Sequence, residues 1–83
     1  MREKVSEVAL IEIRAEDVQR VKDHLASEDF VVARYELLGR YNLGVIVEVK
    51  SQKILFDVVI LNIRKIPGVL ETRTHLIHDG VVL

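Results

Sequence analysis

The sequence contains no cysteine and very few aromatic residues. Without cysteine the chain has no disulfide, no thiolate ligand for a metal and no cysteine nucleophile. Aromatic residues make up 5% of the chain and hydrophobic residues 49%, so the core has to be built mainly from valine, isoleucine and leucine. This composition favours strands and the elements that pack on them.

The chain also lacks an excess of charge and a long apolar run. Its 12 basic and 13 acidic residues are interspersed and give a formal charge of −1. Nucleic-acid binding needs a clustered cationic surface, so we expect no direct contact with DNA. No segment reaches the roughly 18 apolar residues of a membrane span, and the charged N-terminal residues do not resemble a signal peptide. We expect a cytoplasmic protein without membrane contact.

The 83 residues suffice for one domain, since domains contain roughly 50 to 250 residues, and we treat 1–83 as a single domain. Hydrophobic patterns predict six elements in the order strand, helix, strand, strand, helix, strand. The predicted strands are 5–13, 30–38, 43–50 and 69–78, and the predicted helices are 16–27 and 51–65. Either Ala15 or Asp17 is the N-cap of the first helix.

The second helix has defined ends and more apolar surface than one sheet can cover. Ser51 can cap its first turn, and Pro67 and Gly68 prevent its continuation. Five side chains recur at spacings of three and four and predict one buried stripe: Leu55, Val58, Val59, Ile63 and Ile66. Phe56 and Ile60 form a second apolar side.

Between the second and third strands the pattern predicts a hairpin. Placing Gly39 opposite Leu43 leaves a three-residue loop, 40–42, in which Asn42 takes the left-handed conformation that such loops require. This register aligns three pairs on an apolar core face: Leu37 with Val45, Tyr35 with Val47 and Ala33 with Val49.

The element order is that of an α+β, ferredoxin-like βαββαβ fold, with a four-stranded antiparallel sheet and two helices on one face. The other sheet face is then open and is predicted to carry Val32, Leu38, Ile46, Arg34, Glu36 and Glu48. An apolar centre with a charged margin is typical of an interface. We therefore expect a homodimer with paired sheet faces, of the dimeric α/β-barrel type, and further association through the second helix.

Three short motifs resemble the effector-binding (RAM) domain of the leucine-responsive regulator and asparagine regulator (Lrp/AsnC) family. They are Gly39-Arg40-Tyr41-Asn42 at the hairpin tip, Ile66-Pro67-Gly68-Val69 at the helix end and Thr72-Arg73-Thr74 on the last strand. The resemblance implies an oligomeric module that binds an amino acid between subunits and needs no cofactor. Because the sequence starts at the first strand, we expect a stand-alone form without the family's helix-turn-helix. We expect this stand-alone module to act on full-length regulators by assembling with them.

The resemblance places the effector site on Gly39, Tyr41, Asn42, Thr72 and Thr74. Turn amides and threonine hydroxyls can bind the carboxylate of an amino acid, while its ammonium needs acceptors. The family usually has aspartate where this chain has Asn42, and the loss of that carboxylate removes a charge-assisted bond to the ammonium. This position therefore predicts weak amino-acid binding, no amino-acid binding or a different ligand.

Other interpretations compete with an effector site. Turn geometry alone explains Gly39 and Asn42, in which case the chain is purely a structural assembly module. A small ferredoxin-like enzyme, of the isomerase or cofactor-free oxygenase type, would need a titratable group between sheet and helices, and Tyr35 is the one inward polar group that the pattern supplies. His75 and His78 lie three apart on a strand and point to opposite faces, so we expect no metal site within the chain, and a metal site shared between subunits is the alternative. The expectation is a protein that is not an enzyme.

Overall fold

The fold is built on a four-stranded sheet whose first and third strands are internal and pair on both sides. The computed structural model describes residues 6–77. Its strands are β1 Glu7–Ala15, β2 Val31–Glu36, β3 Leu43–Val49 and β4 Val69–Ile77, and they form one antiparallel sheet in the order β2-β3-β1-β4. The helices are α1, Val18–Leu25, and α2, which runs through three consecutive segments, Gln52–Ile54, Leu55–Val59 and Ile60–Arg64.

The predicted element order and the ferredoxin-like α+β architecture are confirmed. The predicted start of the first strand at residue 5, the end of the last strand at His78 and the tail 79–83 lie outside the described residues. Within residues 6–77, no helix has the length and apolar character needed to cross a bilayer.

Both helices cover the same face of the sheet, and the strands alternate accordingly. Along β1, Ala9, Ile11 and Ile13 are fully buried while Leu10 between them is half-buried. The continuous apolar run of β1 therefore has one face in the core and one on the open side of the sheet. The rest of the core comes from β3 and the two helices: Val21, Leu25, Leu43, Val45, Val47, Val49, Leu55, Val59 and Ile63.

Each helix begins at a side-chain cap. Asp17 accepts a hydrogen bond of 3.2 Å from a backbone N–H of the first turn of α1, which identifies it as the N-cap. Ser51 does the same for α2 at 3.1 Å, as predicted. α2 ends at Lys65, its C-cap, and Gly68 after Pro67 adopts a φ of +96°, where a side chain would be strained.

The middle of α2 is a π-helix, and this changes which side chains the helix buries. The N–H of Ile60 bonds to the carbonyl of Leu55, five residues earlier. This wider turn keeps side chains four apart in line and rotates side chains three apart out of line. Leu55 and Val59 are therefore buried, but Val58, which was predicted to share their stripe, is 46% exposed.

The second apolar side of α2 is divided between core and solvent. Ile60 packs against the core. Phe56 is 47% exposed, and Ile54 and Leu61 are exposed with it. Part of the apolar surface predicted on this helix is thus uncovered in the protomer.

The register predicted for the hairpin is wrong. Tyr35 pairs with Gly44, three positions earlier on β3 than the predicted partner Val47. The N–H of Leu37 donates to the carbonyl of Asn42 at 3.0 Å, so the loop is 38–41 rather than 40–42. Within this loop Gly39 takes the positive φ, at +137°, and Asn42 does not adopt the predicted left-handed conformation.

Asn42 explains this register, because its side chain is bound to β1. Its Oδ1 accepts from the N–H of Ala15 at 2.8 Å, and its Nδ2 donates to the carbonyl of Ala15 at 2.9 Å. Its own N–H donates to the carbonyl of Ile13 at 3.0 Å. The amide side chain extends the β1–β3 ladder as a peptide group would, so residue 42 has to remain extended and cannot form the turn.

The shifted register turns β2 over relative to the prediction. Arg34 and Glu36 face the helices, where Arg34 donates to the carbonyl of Lys22 at 2.9 Å and Glu36 pairs with the Lys22 ammonium at 2.8 Å. Ala33 and Tyr35 lie on the open face, and Tyr35 is 54% exposed. The inward tyrosine required by the enzyme interpretation is therefore not inward.

We predict that Asn42→Ala lowers the free energy of unfolding by about 1–3 kcal/mol, because it leaves the N–H and carbonyl of Ala15 without their partners. Urea unfolding at fixed protein concentration measures the change. Asn62→Ala on the exposed side of α2 is the control and should change stability by less than about 0.5 kcal/mol. Equal stabilities of Asn42→Ala and the wild type would contradict the structural role of Asn42.

Candidate functional site

Charged side chains alternate along β1 and β4 on the open face of the sheet. Glu12 is paired with Arg73, and Arg14 with Glu71. Residues two apart on a strand share a face, so His75 projects on the same side as Arg73. The two strands thus place carboxylates and cations in contact beside the hairpin tip.

Glu71 joins the hairpin tip to the sheet. Its Oε1 accepts from Arg14 Nε at 2.9 Å and from an Arg40 amino group at 3.0 Å, and its Oε2 accepts from the Tyr41 hydroxyl at 2.9 Å. These hydrogen bonds, from Arg14 above all and then from Tyr41, lower the pKa of Glu71 below its ordinary value of 4.5. Glu71 is therefore a carboxylate at neutral pH, held by two guanidinium groups and a phenol.

Glu12 forms a second cluster one step along the sheet. Its Oε1 lies 2.7 Å from His75 Nε2 and 3.0 Å from Arg73 Nε, and these two hydrogen bonds lower the pKa of Glu12. The bond to Glu12 also raises the pKa of Arg73. The Arg73 guanidinium lies over the Tyr41 ring, 4.6 Å from its centroid, which favours the cation. Tyr41 thus contacts both clusters.

Two depressions adjoin these clusters. The first, which we call the tip depression, has a volume of about 500 Å³ and is lined by Glu12, Leu37, Leu38, Gly39, Arg40, Tyr41 and Arg73. The second, the β4 depression, has a volume of about 400 Å³ and is lined by Arg64, Val69, Leu70, Glu71 and Thr72. Glu71 lines the β4 depression and is bound by Arg40 and Tyr41 of the tip depression, so the two depressions share one set of ionic contacts.

The five residues predicted from the resemblance fall in three places. Gly39 and Tyr41 line the tip depression. Thr72 lines the β4 depression, and Thr74 lies on the same helix-facing side of β4 as Thr72. Asn42 is in the β1–β3 ladder, where both polar atoms of its side chain bind Ala15. Within one protomer the structure brings Gly39 and Tyr41 together but not the two threonines with them.

A family model described as the Lrp/AsnC ligand binding domain matches residues 6–82, nearly the whole chain. The chain belongs to the Lrp/AsnC family. Among proteins with curated descriptions, none matches it.

Two solved structures are similar to this Lrp/AsnC chain over almost their entire length. FFRP-DM1 is 27% identical with a TM-score of 0.81, over 87% of this chain and 99% of the other. TTHA0845 from Thermus thermophilus is 29% identical with a TM-score of 0.77, over 93% of this chain and 99% of the other.

A third structure is longer and shows the fold alone. It is the feast or famine regulatory protein Rv3291c from M. tuberculosis, complexed with L-methionine, which is 22% identical with a TM-score of 0.80. The match covers 93% of this chain but 53% of that protein. This chain therefore spans about half the length of Rv3291c.

Sequence reasoning on this Lrp/AsnC chain missed the ionic clusters. Each of two strands carries a glutamate and an arginine two residues apart, Glu12 with Arg14 and Glu71 with Arg73. Antiparallel pairing of these strands places each glutamate opposite an arginine, so the pattern could have indicated the ionic clusters. Of the two histidines for which we expected no metal site within the chain, His78 lies outside the described residues. Among residues 6–77 no group of three metal-binding side chains occurs.

The lowered pKa values of Glu12 and Glu71 predict a defined acid dependence. A carboxylate whose folded pKa is depressed contributes stability that is complete above its ordinary value and is lost as the pH falls through the folded pKa. We expect the urea concentration at the unfolding midpoint of the wild type to decrease once the pH is lowered below about 4.5. Glu71→Gln should have a lower midpoint than the wild type at neutral pH, and its midpoint should decrease less in acid.

Glu28→Gln is the control for this measurement. Its carboxylate has no hydrogen-bond or ion-pair partner in the part of the chain that the structure describes. We expect its pH profile to follow that of the wild type. Parallel profiles for wild type and Glu71→Gln would show that the Glu71 contacts contribute nothing to stability.

Proposed function

We propose that the chain is an effector-binding and assembly module that binds a small molecule of the amino-acid type between subunits. The observation that carries this proposal is the division of the candidate site into two open depressions, one at the hairpin tip and one beside β4. Neither depression alone contains both Tyr41 and Thr72. A ligand that contacts both sets of residues would be enclosed when the tip of one subunit meets β4 of another.

The hairpin tip has the properties of a contact to another subunit. Leu38 is fully exposed, at 105% of its reference area, although leucine is among the residues most often buried. The loop that carries it is bound to β1 through Asn42 and to Glu71 of β4 through Tyr41 and Arg40. An apolar side chain on an anchored loop loses little conformational freedom when a partner covers it. This supports a closed site at the tip.

The chemistry of the two depressions suits a small zwitterion or anion. The Thr72 hydroxyl, the Tyr41 hydroxyl and the loop amides around Gly39 are donors for a carboxylate. The side-chain oxygen of Asn42 already accepts from the N–H of Ala15 and carries no charge, so it is a weaker acceptor for an ammonium than a carboxylate. Glu12 is the carboxylate that lines the tip depression and can accept from an ammonium there. The similarity to Rv3291c, which was crystallised with L-methionine, supports a ligand of this size.

The open sheet face supports assembly. Its apolar part consists of Val8, Leu10, Ile46, Leu37 and Ile77, with Tyr35 beside them. We propose that two copies pair through this face, since a self-complementary apolar patch favours a two-fold dimer. Mixed assembly with full-length Lrp/AsnC regulators, which would let the module act on transcription without binding DNA itself, is part of the proposal.

Ile46→Arg should convert the dimer to a monomer, because two-fold pairing would place the introduced cations close together in an apolar interface. Light scattering at micromolar concentration gives the mass. Leu61→Arg, on the exposed side of α2, should leave the dimer intact and reduce only larger assemblies. A monomeric wild type, or an Ile46→Arg variant of unchanged mass, would refute pairing through the open face.

Thermal unfolding with each amino acid in turn tests the effector role. A ligand at about a hundred times its dissociation constant adds roughly 2.7 kcal/mol, which is several degrees or more for a domain of this size. Thr72→Val keeps the shape of the side chain and removes the hydroxyl that lines the β4 depression, so we expect it to abolish a selective shift. Ser27→Ala, whose hydroxyl donates to the carbonyl of His24, should retain the shift. No shift with any amino acid would contradict amino-acid binding.

A further inference from the structure

The two depressions carry more positive than negative charge, although the chain as a whole has a formal charge of −1. Arg40 and Arg73 line the tip depression, Arg64 lines the β4 depression, and Arg14 is bound to Glu71 between them. Within residues 6–77, Glu12 and Glu71 are the only carboxylates that line the depressions. The lining side chains are thus three arginines and two glutamates, an excess of one positive charge, and Arg14 is a fourth cation in contact with Glu71.

Of the arginines that line the two depressions, Arg64 has no ionic contact within residues 6–77. It lies in the last turn of α2, and its guanidinium has no hydrogen-bond or ion-pair partner among residues 6–77. Beside it in the β4 depression is the half-buried Thr72. A guanidinium next to a hydroxyl is a donor set for a carboxylate, and the fork geometry of the guanidinium matches both carboxylate oxygens.

The tip depression has free donors as well. Arg40 contributes one amino group to Glu71, and Arg73 directs its Nε and one amino group to the same oxygen of Glu12. A guanidinium has five N–H donors, so both arginines retain donors after these contacts. Of the four carboxylate oxygens of Glu12 and Glu71, three already accept hydrogen bonds from the protein. The balance at the tip also favours an anionic ligand group.

We infer that the effector is a dicarboxylate, with one carboxylate bound by Arg64 and Thr72 and the other by Arg40 and Arg73. The inference rests on the proposed function, because it requires a ligand that contacts both depressions. A ligand between them meets a cation at each end, and each of these cations can bind one anionic group. Acidic amino acids and dicarboxylic acids without an amino group share this chemistry.

Isothermal titration of the assembled protein with L-glutamate, glutarate and L-glutamine tests the inference. L-Glutamine has the shape of L-glutamate without the second negative charge, and glutarate has both carboxylates without the ammonium. We expect L-glutamate or glutarate to bind roughly tenfold or more tightly than L-glutamine, since hydrogen bonds to charged groups are the strong ones. Binding of glutarate as well as L-glutamate would identify two carboxylates as sufficient, whereas binding of L-glutamate alone would identify an acidic amino acid.

Arg64→Gln locates the second carboxylate, and Arg20→Gln is its matched control. Arg20 is also an exposed helical arginine, and its guanidinium has no partner within the described range 6–77, so both variants change the net charge equally without removing a contact. Arg64→Gln should weaken the preferred dicarboxylate roughly tenfold and leave L-glutamine unchanged. Arg20→Gln should change neither affinity.

The outcomes separate this inference from the proposed function. Equal or tighter binding of L-glutamine, or of another neutral amino acid, would overturn the dicarboxylate and leave an effector module in place. Binding of none of the amino acids and no binding of glutarate would overturn both. An unchanged preference in Arg64→Gln would overturn the role of the β4 depression.

Discussion

The position of the hairpin depends on two hydrogen bonds from a single amide side chain. Asn42 binds the N–H and the carbonyl of Ala15 and so attaches the loop to the end of β1. With residue 42 held there, Tyr41 lies beside β4, where its hydroxyl reaches Glu71 and its ring meets Arg73. The charged clusters and the tip depression all lie within this arrangement. Asn42, which the family resemblance placed among the ligand contacts, thus forms structural hydrogen bonds on which the candidate site depends.

Local chemistry made much of the fold predictable. The cap at Ser51 and the helix end before Pro67 follow from one or two residues and their neighbours, and both occur as expected. The hairpin register does not follow from neighbours. Alternating apolar residues on β2 match β3 in more than one alignment, and the choice between alignments is made by the contact of Asn42 with a strand 27 residues away. Val58 escaped prediction because a π turn changes the phase of the helix.

The candidate site was predictable where it is local and not where it depends on strand pairing. Gly39 and Tyr41 belong to one short motif and lie together at one depression. The contact between Arg14 and Glu71 joins residues 57 positions apart, and it exists only because β1 and β4 are paired in one particular register. Composition indicates a nearly neutral chain, yet strand pairing places Glu12, Arg14, Glu71 and Arg73 together on the open face. This clustering of charge is a property of the folded sheet.

The strand order has a consequence for how the chain folds. β1 is the first strand to be made and lies between β3 and β4, but β4 is completed only at residue 77. Before then β1 can pair with β3 alone, and its other edge presents unbonded peptide groups along a largely apolar segment. Closing that edge requires contacts between the two ends of the chain, which is the slow kind of step in folding because a long loop must be ordered first. The sheet therefore cannot close until β4 has been made, and a chain truncated before β4 would expose β1, an inner strand, as an edge open to aggregation.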